Sequence, residues 1–492
     1  MRALTSLDNF FLAAEDGRTV TNLSSLVILE RPDDDAAPLT RDDLADHVAE
    51  RLHLLPPLRW RLAEVPFGLG HPYWVDGDVD LDFHIRELAL VAPGDRAALE
   101  SQVARLSAHP MDRSRPLWEM YLIHGLADGG VAVLTKLHHA AVDGVSAAEV
   151  MSTLLDDSPA GRRIAPAPRH RAEQAPSQVG MLARGVIAEP RRQLGTVGAA
   201  GRMLTNLDHV AVLRSIPGIR PVGRMVRGIA KLGRIESVAP PAPSVTAPRL
   251  RLNGKITSHR QVALTSVPLE DVKELKRALD CTINDVVVAL STGAVRRWLE
   301  RLGALPDQPL VAVIPVSVRT EREAGAYGNS VASMVTALPT DEPNLLVRLR
   351  RCRRGMLEAK NRHNTVPTTL MRDVNDLVPP MLFGQATRTV TRLASSDSFA
   401  PAANLVISNV PGPRNQLFFA GRAVRENFPI STISDSLGLN ITVFSYFDRL
   451  QIGLVGDREI VDDLDGLACA FHTELQLMQK VTADMHAEGA TR

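Results

Sequence analysis

One seven-residue string constrains this chain more than any other: His138-His139-Ala140-Ala141-Val142-Asp143-Gly144. It follows Val131–Leu137, an alternating run of β type. It precedes Val145–Leu155, where Val145, Ala148, Met151 and Leu155 recur at helical spacing. The string therefore sits at a strand-to-helix turn, a common place to display catalytic groups. Neighbouring residues of an extended segment face opposite ways, so one histidine can enter a cleft and act while the other packs. Asp143 is placed to hold the bend, either by pairing with an arginine or by capping the helix that follows. Gly144 is expected to let the chain bend sharply and to let a backbone or ligand come close.

A neutral imidazole with one nitrogen held as N–H offers the other as an acceptor near physiological pH. That suits deprotonation of an alcohol or amine, where general-base help is worth ~10²–10⁴-fold. No G-x-S-x-G string is present and no cysteine lies within the motif. Direct attack of an acceptor on an activated acyl group is thus simpler than an acyl-enzyme route. Zinc fits less well, because adjacent histidines are not the i, i+4 pair of a helical metal site, and no metal is expected.

With 492 residues, two domains is the natural expectation. Net charge is zero and the pI near 7.3, so no overall basic field recruits nucleic acid. The 3 cysteines (Cys281, Cys352, Cys469) form no CxxC or Cys/His cluster, which supports neither a disulfide framework nor structural zinc. Asp8 interrupts the N-terminus before an apolar signal core can form, and no apolar run approaches the roughly 20 residues a membrane-spanning helix needs. The chain reads as cytosolic.

Residues 1–158 alternate helix and strand patterns and carry the motif. Ser24–Leu29 reads as a strand, and Thr40–Leu54 as a helix with Thr40 as its N-cap and Asp42 and Asp43 in the first turn. Ala97–Leu106 reads as a further amphipathic helix. Residues 159–249 combine Pro/Ala/Arg-rich linkers with a basic stretch, 181–235, holding ten Lys/Arg against two acids (Glu189, Asp208). Met203, Leu204, Leu207, Val210 and Leu213 recur there on one helical face. Such a segment can lie on an anionic lipid surface, or be a long crossover whose arginines face water.

Residues 250–492 form a second α/β region. Strands are expected over Val262–Val267, Leu310–Val318, Leu405–Val410, Asn440–Tyr446 and Leu450–Val455, with helices over Leu269–Leu279, Ile283–Leu299 and Asp462–Lys480.

Further strings accompany the histidine motif. They are the opening segment Ser6–Glu15, Pro116-Leu117-Trp118, Asn284-Asp285, Pro315–Arg319 with Gly328-Asn329, and Asn409-Val410-Pro411-Gly412-Pro413. With them the chain resembles the bacterial wax ester synthase/acyl-CoA:diacylglycerol acyltransferase family, over essentially its full length. That family lies within the HHxxxDG superfamily of CoA-dependent acyltransferases and peptide-synthetase condensation domains. No DFGWG-type string like that of the soluble acetyltransferases and condensation domains is present.

The resemblance implies a two-domain CoA-dependent acyltransferase-like fold, α/β with mixed sheets, flanking helices and an active-site tunnel between the domains. It implies that His139 removes the hydroxyl proton of a diacylglycerol or long-chain alcohol. The oxygen then attacks an acyl-CoA thioester in a ternary complex, giving triacylglycerol or wax ester. His138 and Asp143 would be structural, with Arg319 as the aspartate's partner and Asn409 in support. Pro116, Leu117 and Trp118 would shape the acyl tunnel, and Asn284, with Asp285 beside it, would face substrate. An Asn284 hydrogen bond to the developing oxyanion can be worth ~3 kcal/mol. The plain alternatives are that Trp118 is core and Asn284 a helix-packing amide. Acyl-CoA is a co-substrate, no cofactor is implied, and 181–235 would hold the enzyme at the inner membrane face or on lipid droplets. Two other readings stay open: a condensation-type acyltransferase with carrier-protein donors, and a noncatalytic lipid-droplet binding protein.

Overall fold

The computed structural model describes residues 2–31, 37–66, 70–167, 177, 180–181, 246–317, 327–329, 331–365 and 400–490. The first half opens with β1 (Arg2–Ala3), α1 (Ser6–Ala14), β2 (Asn22–Leu29), α2 (Arg41–Arg51), β3 (Trp60–Ala63) and β4 (Tyr73–Asp76). It continues with α3 (Leu81–His84), β5 (Ile85–Ala89), α4 (Arg96–Ser107), β6 (Trp118–His124), β7 (Val131–His138) and α5 (Gly144–Leu154). Beyond the crossover come β8 (Arg260–Pro268), α6 (Leu269–Ala278), α7 (Ile283–Arg301), β9 (Leu310–Ser317), β10 (Val331–Leu338) and α8 (Leu345–Thr365). Last are β11 (Leu405–Val410), β12 (Phe418–Phe419), β13 (Arg422–Ile430), β14 (Leu439–Tyr446), β15 (Arg449–Asp457) and α9 (Leu464–Ala490).

Among the described residues, two six-stranded mixed sheets carry the fold, with β1, β4 and β3 in a small third sheet. The first sheet has the order β12-β13-β2-β7-β6-β5, parallel only at β5–β6; the second, β10-β9-β11-β14-β15-β8, is parallel only where β11 meets β9 and β14. Apolar residues cover both faces of β6 and β7, as a central strand under helices on one side and a second core on the other requires.

The first sheet draws strands from both sides of residue 250. β12 and β13 come from the C-terminal region, yet β13 pairs antiparallel with β2 and puts Val424, Phe428 and Ile430 into the N-terminal cores. Without β13, the apolar edge of β2 would stand unpaired. A shared core, with Leu99 and Val103 of α4 against Val262 of β8 and Val455 of β15, ties the halves together. At the seam, Glu100 accepts a hydrogen bond at 2.8 Å from the N–H of Leu264 on edge strand β8.

Other expectations hold with small shifts. Thr40 caps α2 in a reciprocal pair with Asp43, and α7 is a largely buried helix. In α5 the buried face is Ser146, Val150, Met151 and Leu154, rotated from the expected one; Val145 and Ala148 are half-buried. Of the basic stretch 181–235, all but Met181 lies outside the described residues.

Candidate active site

β7 delivers His138 as its last paired residue, opposite Asn22 of β2. The chain then turns on His138 itself. Its carbonyl accepts the N–H of Ala141 at 2.9 Å, and its Nδ1 accepts the N–H of Ala140 at 3.0 Å. With Nδ1 an acceptor, the ring proton sits on Nε2, 3.2 Å from Glu15 Oε1 and 3.3 Å from Thr21 Oγ1. Arg113 clasps the other Glu15 oxygen at 2.9 Å. Burial pushes the Glu15 carboxyl up, but the His138 hydrogen bond, the Thr21 N–H and the Arg113 guanidinium outweigh it and hold the group down at about 2. Fully buried His138 is thus the bracket of the turn.

Asp143 caps α5, accepting the N–H of Ser146 at 2.8 Å. Arg319, its expected partner, lies outside the described residues. The reading of Gly144 as the bend needs correction. Its backbone is not left-handed, and among the described residues a Cβ there would meet only Val410 Cγ2, at 3.5 Å. His138 makes the turn, and Gly144 simply begins the helix.

His139 leaves the strand in the other direction and is half-buried. Its Nδ1 lies 3.2 Å from Asn329 Oδ1. Asn329 Nδ2 is 2.8 Å from Asp8 Oδ1 and 2.7 Å from the His139 carbonyl. Both of those partners are acceptors, which fixes the NH₂ end of the amide and leaves Oδ1 facing the imidazole. Nδ1 must therefore carry the hydrogen, and Nε2 holds the lone pair, with no partner among the described residues. Phe11 of α1 stacks on the ring at 3.8 Å and 12°. Burial pushes the imidazole down to about 4, while a hydrogen bond to its own backbone, the Asp143 charge and the Asn329 hydrogen bond pull it partly back. The ring is consequently neutral throughout the physiological range.

Leu117 lends its carbonyl to the His138 N–H at 3.0 Å, so the Pro116-Leu117-Trp118 string supports the turn through its backbone. Trp118 is buried, donates Nε1–H to the Leu58 carbonyl at 2.8 Å and stacks on His84 at 4.4 Å, which is the core alternative. Asp285 accepts from the N–H and hydroxyl of Thr282, at 3.0 and 2.8 Å, and so caps its own helix α7. Asn284 is different. Its Oδ1 accepts from Asn409 Nδ2 at 3.3 Å, which leaves its own NH₂ available to donate. Val410, next along, borders Gly144, so the Asn409–Pro413 block lies against the start of α5.

Asp8, Phe11, Glu15 and Asn329 stand in the chain as parts of longer strings, with no local sign that they surround the histidines. The one local signal was Thr5-x-x-Asp8, a capping box that the structure contains.

Residues 4–287 match the wax ester synthase/diacylglycerol acyltransferase catalytic domain, and 327–479 the C-terminal domain of the same family. A Mycobacterium tuberculosis (strain CDC 1551 / Oshkosh) protein, provisionally named a diacylglycerol O-acyltransferase, is 33% identical over 98% of this chain and 91% of its own length. Another from that strain, with the same provisional name, is 31% identical over 96% of this chain and 97% of its own. The wax ester synthase/diacylglycerol acyltransferase from Marinobacter aquaeolei VT8 superposes with a TM-score of 0.66 at 28% identity, covering 98% of this chain and 100% of that one. The starter condensation domain of rhizomide synthetase, with a TM-score of 0.54 at 14% identity over 98% of this chain and 94% of its own, shares the fold alone. The chain belongs to the wax ester synthase/diacylglycerol acyltransferase family of acyltransferases.

Proposed function

We propose that the protein transfers a long-chain acyl group from acyl-CoA to the hydroxyl of a diacylglycerol, and to long-chain alcohols, with His139 as general base. The observation that carries this reading is the fixed tautomer: Asn329 holds Nδ1–H, so Nε2 is the acceptor. Nε2 takes the hydroxyl proton as the oxygen attacks the thioester carbonyl. The tetrahedral oxyanion that forms can accept a hydrogen bond from Asn284 Nδ2. Collapse breaks the C–S bond, and the proton on Nε2 passes to the departing CoA sulfur, which returns His139 to its starting state. A base with a pKa of about 4 is unprotonated at every physiological pH, though a weak acceptor at equilibrium. Proton transfer must then be concerted with attack.

The seven-residue motif holds no serine or cysteine and no G-x-S-x-G string is present, which supports a ternary complex over an acyl-enzyme. Acyl-CoA serves as co-substrate and no cofactor is required. The basic stretch 181–235 would hold the enzyme on an anionic membrane face or lipid droplet in the cytoplasm.

The test is free-thiol release from palmitoyl-CoA with dioleoylglycerol, with hexadecanol, and with no acceptor. Acceptor-dependent release without acylated protein is expected, and the two rates rank the acceptors. Release that ignores the acceptor, or a labelled protein, contradicts the ternary route.

A further inference from the structure

We propose that Asp8, through the side-chain amide of Asn329, is the charged positioning residue for His139, in a carboxylate–amide–imidazole relay built from both halves of the chain. The inference rests on His139 acting as the base.

Asp8 is fully buried on the first turn of α1. One of its oxygens accepts the Thr5 N–H at 2.8 Å and the other accepts Asn329 Nδ2 at 2.8 Å. Both donors are N–H groups, which suits an ionised carboxylate. Among the described residues no cation forms an ion pair with it; burial pushes its carboxyl up, against the Asn329 and Thr5 hydrogen bonds and the more distant charge of Arg2, which pull it back. A buried carboxylate with no counter-ion is costly unless something nearby becomes positive. The imidazole does so once per turnover, and the amide that touches the carboxylate also touches the imidazole.

The path is short and directional. Nδ1–H of His139 donates to Asn329 Oδ1, and Asn329 Nδ2–H donates to Asp8 Oδ1. As Nε2 gains its proton, positive charge spreads to Nδ1–H. The carboxylate polarises the amide so that Oδ1 becomes the better acceptor at that moment. No proton moves along the relay. Asn329 also donates to the His139 carbonyl at 2.7 Å, so the same amide fixes the backbone and the ring.

The segment that bears Asn329 is pinned from the other half of the molecule. Arg2 Nη1 donates to the Tyr327 carbonyl at 2.7 Å, and Ser146 Oγ donates to that of Gly328 at 3.2 Å. Gly328 has φ +129, and a Cβ there would meet the Arg2 guanidinium at 2.5 Å. The imidazole also faces the charge of Asp143 and the neighbouring His138, and these remain when Asp8 is altered.

The experiment compares Asp8→Asn, Asn329→Ala and Thr5→Ala with wild type and His139→Ala, by kcat, KM, pH profile and thermal melting. Losing the carboxylate leaves the imidazolium less stabilised. Asp8→Asn should therefore lose about 10–100-fold in kcat, as when a histidine loses its orienting partner, with KM little changed. Its acid limb should move to lower pH. Thr5→Ala removes half of the same helix cap and should melt lower while keeping kcat. Asn329→Ala cuts the relay without touching that cap and should move the acid limb the same way. Full kcat and an unmoved limb in Asp8→Asn would overturn the relay, as would an equal kcat loss in Thr5→Ala. Activity surviving in His139→Ala would sink the base instead, so the two failures are distinguishable.

Discussion

Asn409 donates from Nδ2 to Oδ1 of Asn284 at 3.3 Å, joining the end of β11 to the first turn of α7. This engages Oδ1 of the Asn284 amide and leaves its NH₂ as the donor end. If that NH₂ meets the oxyanion, Asn284→Ala should cost ~10²–10³-fold in kcat. Asn409→Ala leaves the donor but frees its orientation, so a smaller loss of about tenfold is expected. Steady-state kinetics on both variants checks this. Equal, negligible effects would return both residues to helix packing.

Gly412 and Gly144 belong to motifs that look equally strict, yet the structure separates them. A Cβ on Gly412 would sit 2.1 Å from the Ser445 carbonyl oxygen and 2.5 Å from the Phe444 ring. Gly412→Ala should destabilise by about 1–3 kcal/mol or more, since a carbonyl on β14 cannot swing aside. Gly144→Ala meets nothing closer than 3.5 Å among the described residues, and alanine favours helix by up to ~1 kcal/mol. Its melting temperature should hold or rise. Thermal melts of the two variants side by side test the contrast.

Burial pushes the carboxyl of Glu100 up to about 7, against the Leu264 N–H that draws it back. The group ionises near 4.5 in the unfolded chain, so the folded chain keeps a proton that the unfolded one releases. Folding carries no penalty below pH 4.5 and loses stability as pH rises, with the full cost of about 3 kcal/mol present above about pH 7. Glu100→Gln retains an acceptor for Leu264. It should melt higher than wild type at about pH 8 and alike at about pH 4. Parallel curves across that range would contradict it.

The structural arrangement of this seam and of the site was only partly legible in the chain. Local physics was readable: β7 running into His138, Asp143 capping α5, and Thr40 capping α2 each follow from a few consecutive residues. Contacts across the fold were not. Nothing local links Asp8 to Asn329, and only the docking of α1 on the segment before β10 makes Asn329 the orienting group of His139. β13 went unseen because Arg422, Arg425, Glu426 and Pro429 break its apolar alternation, with a register shift between Val424 and Glu426. Asp285, beside Asn284 in the same motif, takes part in the capping box of its own helix.

With the imidazole held down at about 4, kcat/KM should rise through an acid limb near pH 4 and stay level across the neutral range. A histidine at its ordinary value would instead place that limb near 6.5. The pH–rate profile of the folded enzyme decides between them.

The central claim is most directly tested by free-thiol release from palmitoyl-CoA in the presence of dioleoylglycerol, for wild type and His139→Ala with matched circular dichroism. The account predicts acceptor-dependent release by wild type and its loss in the variant by about 10²-fold or more. A folded His139→Ala protein that releases thiol at the wild-type rate would contradict it.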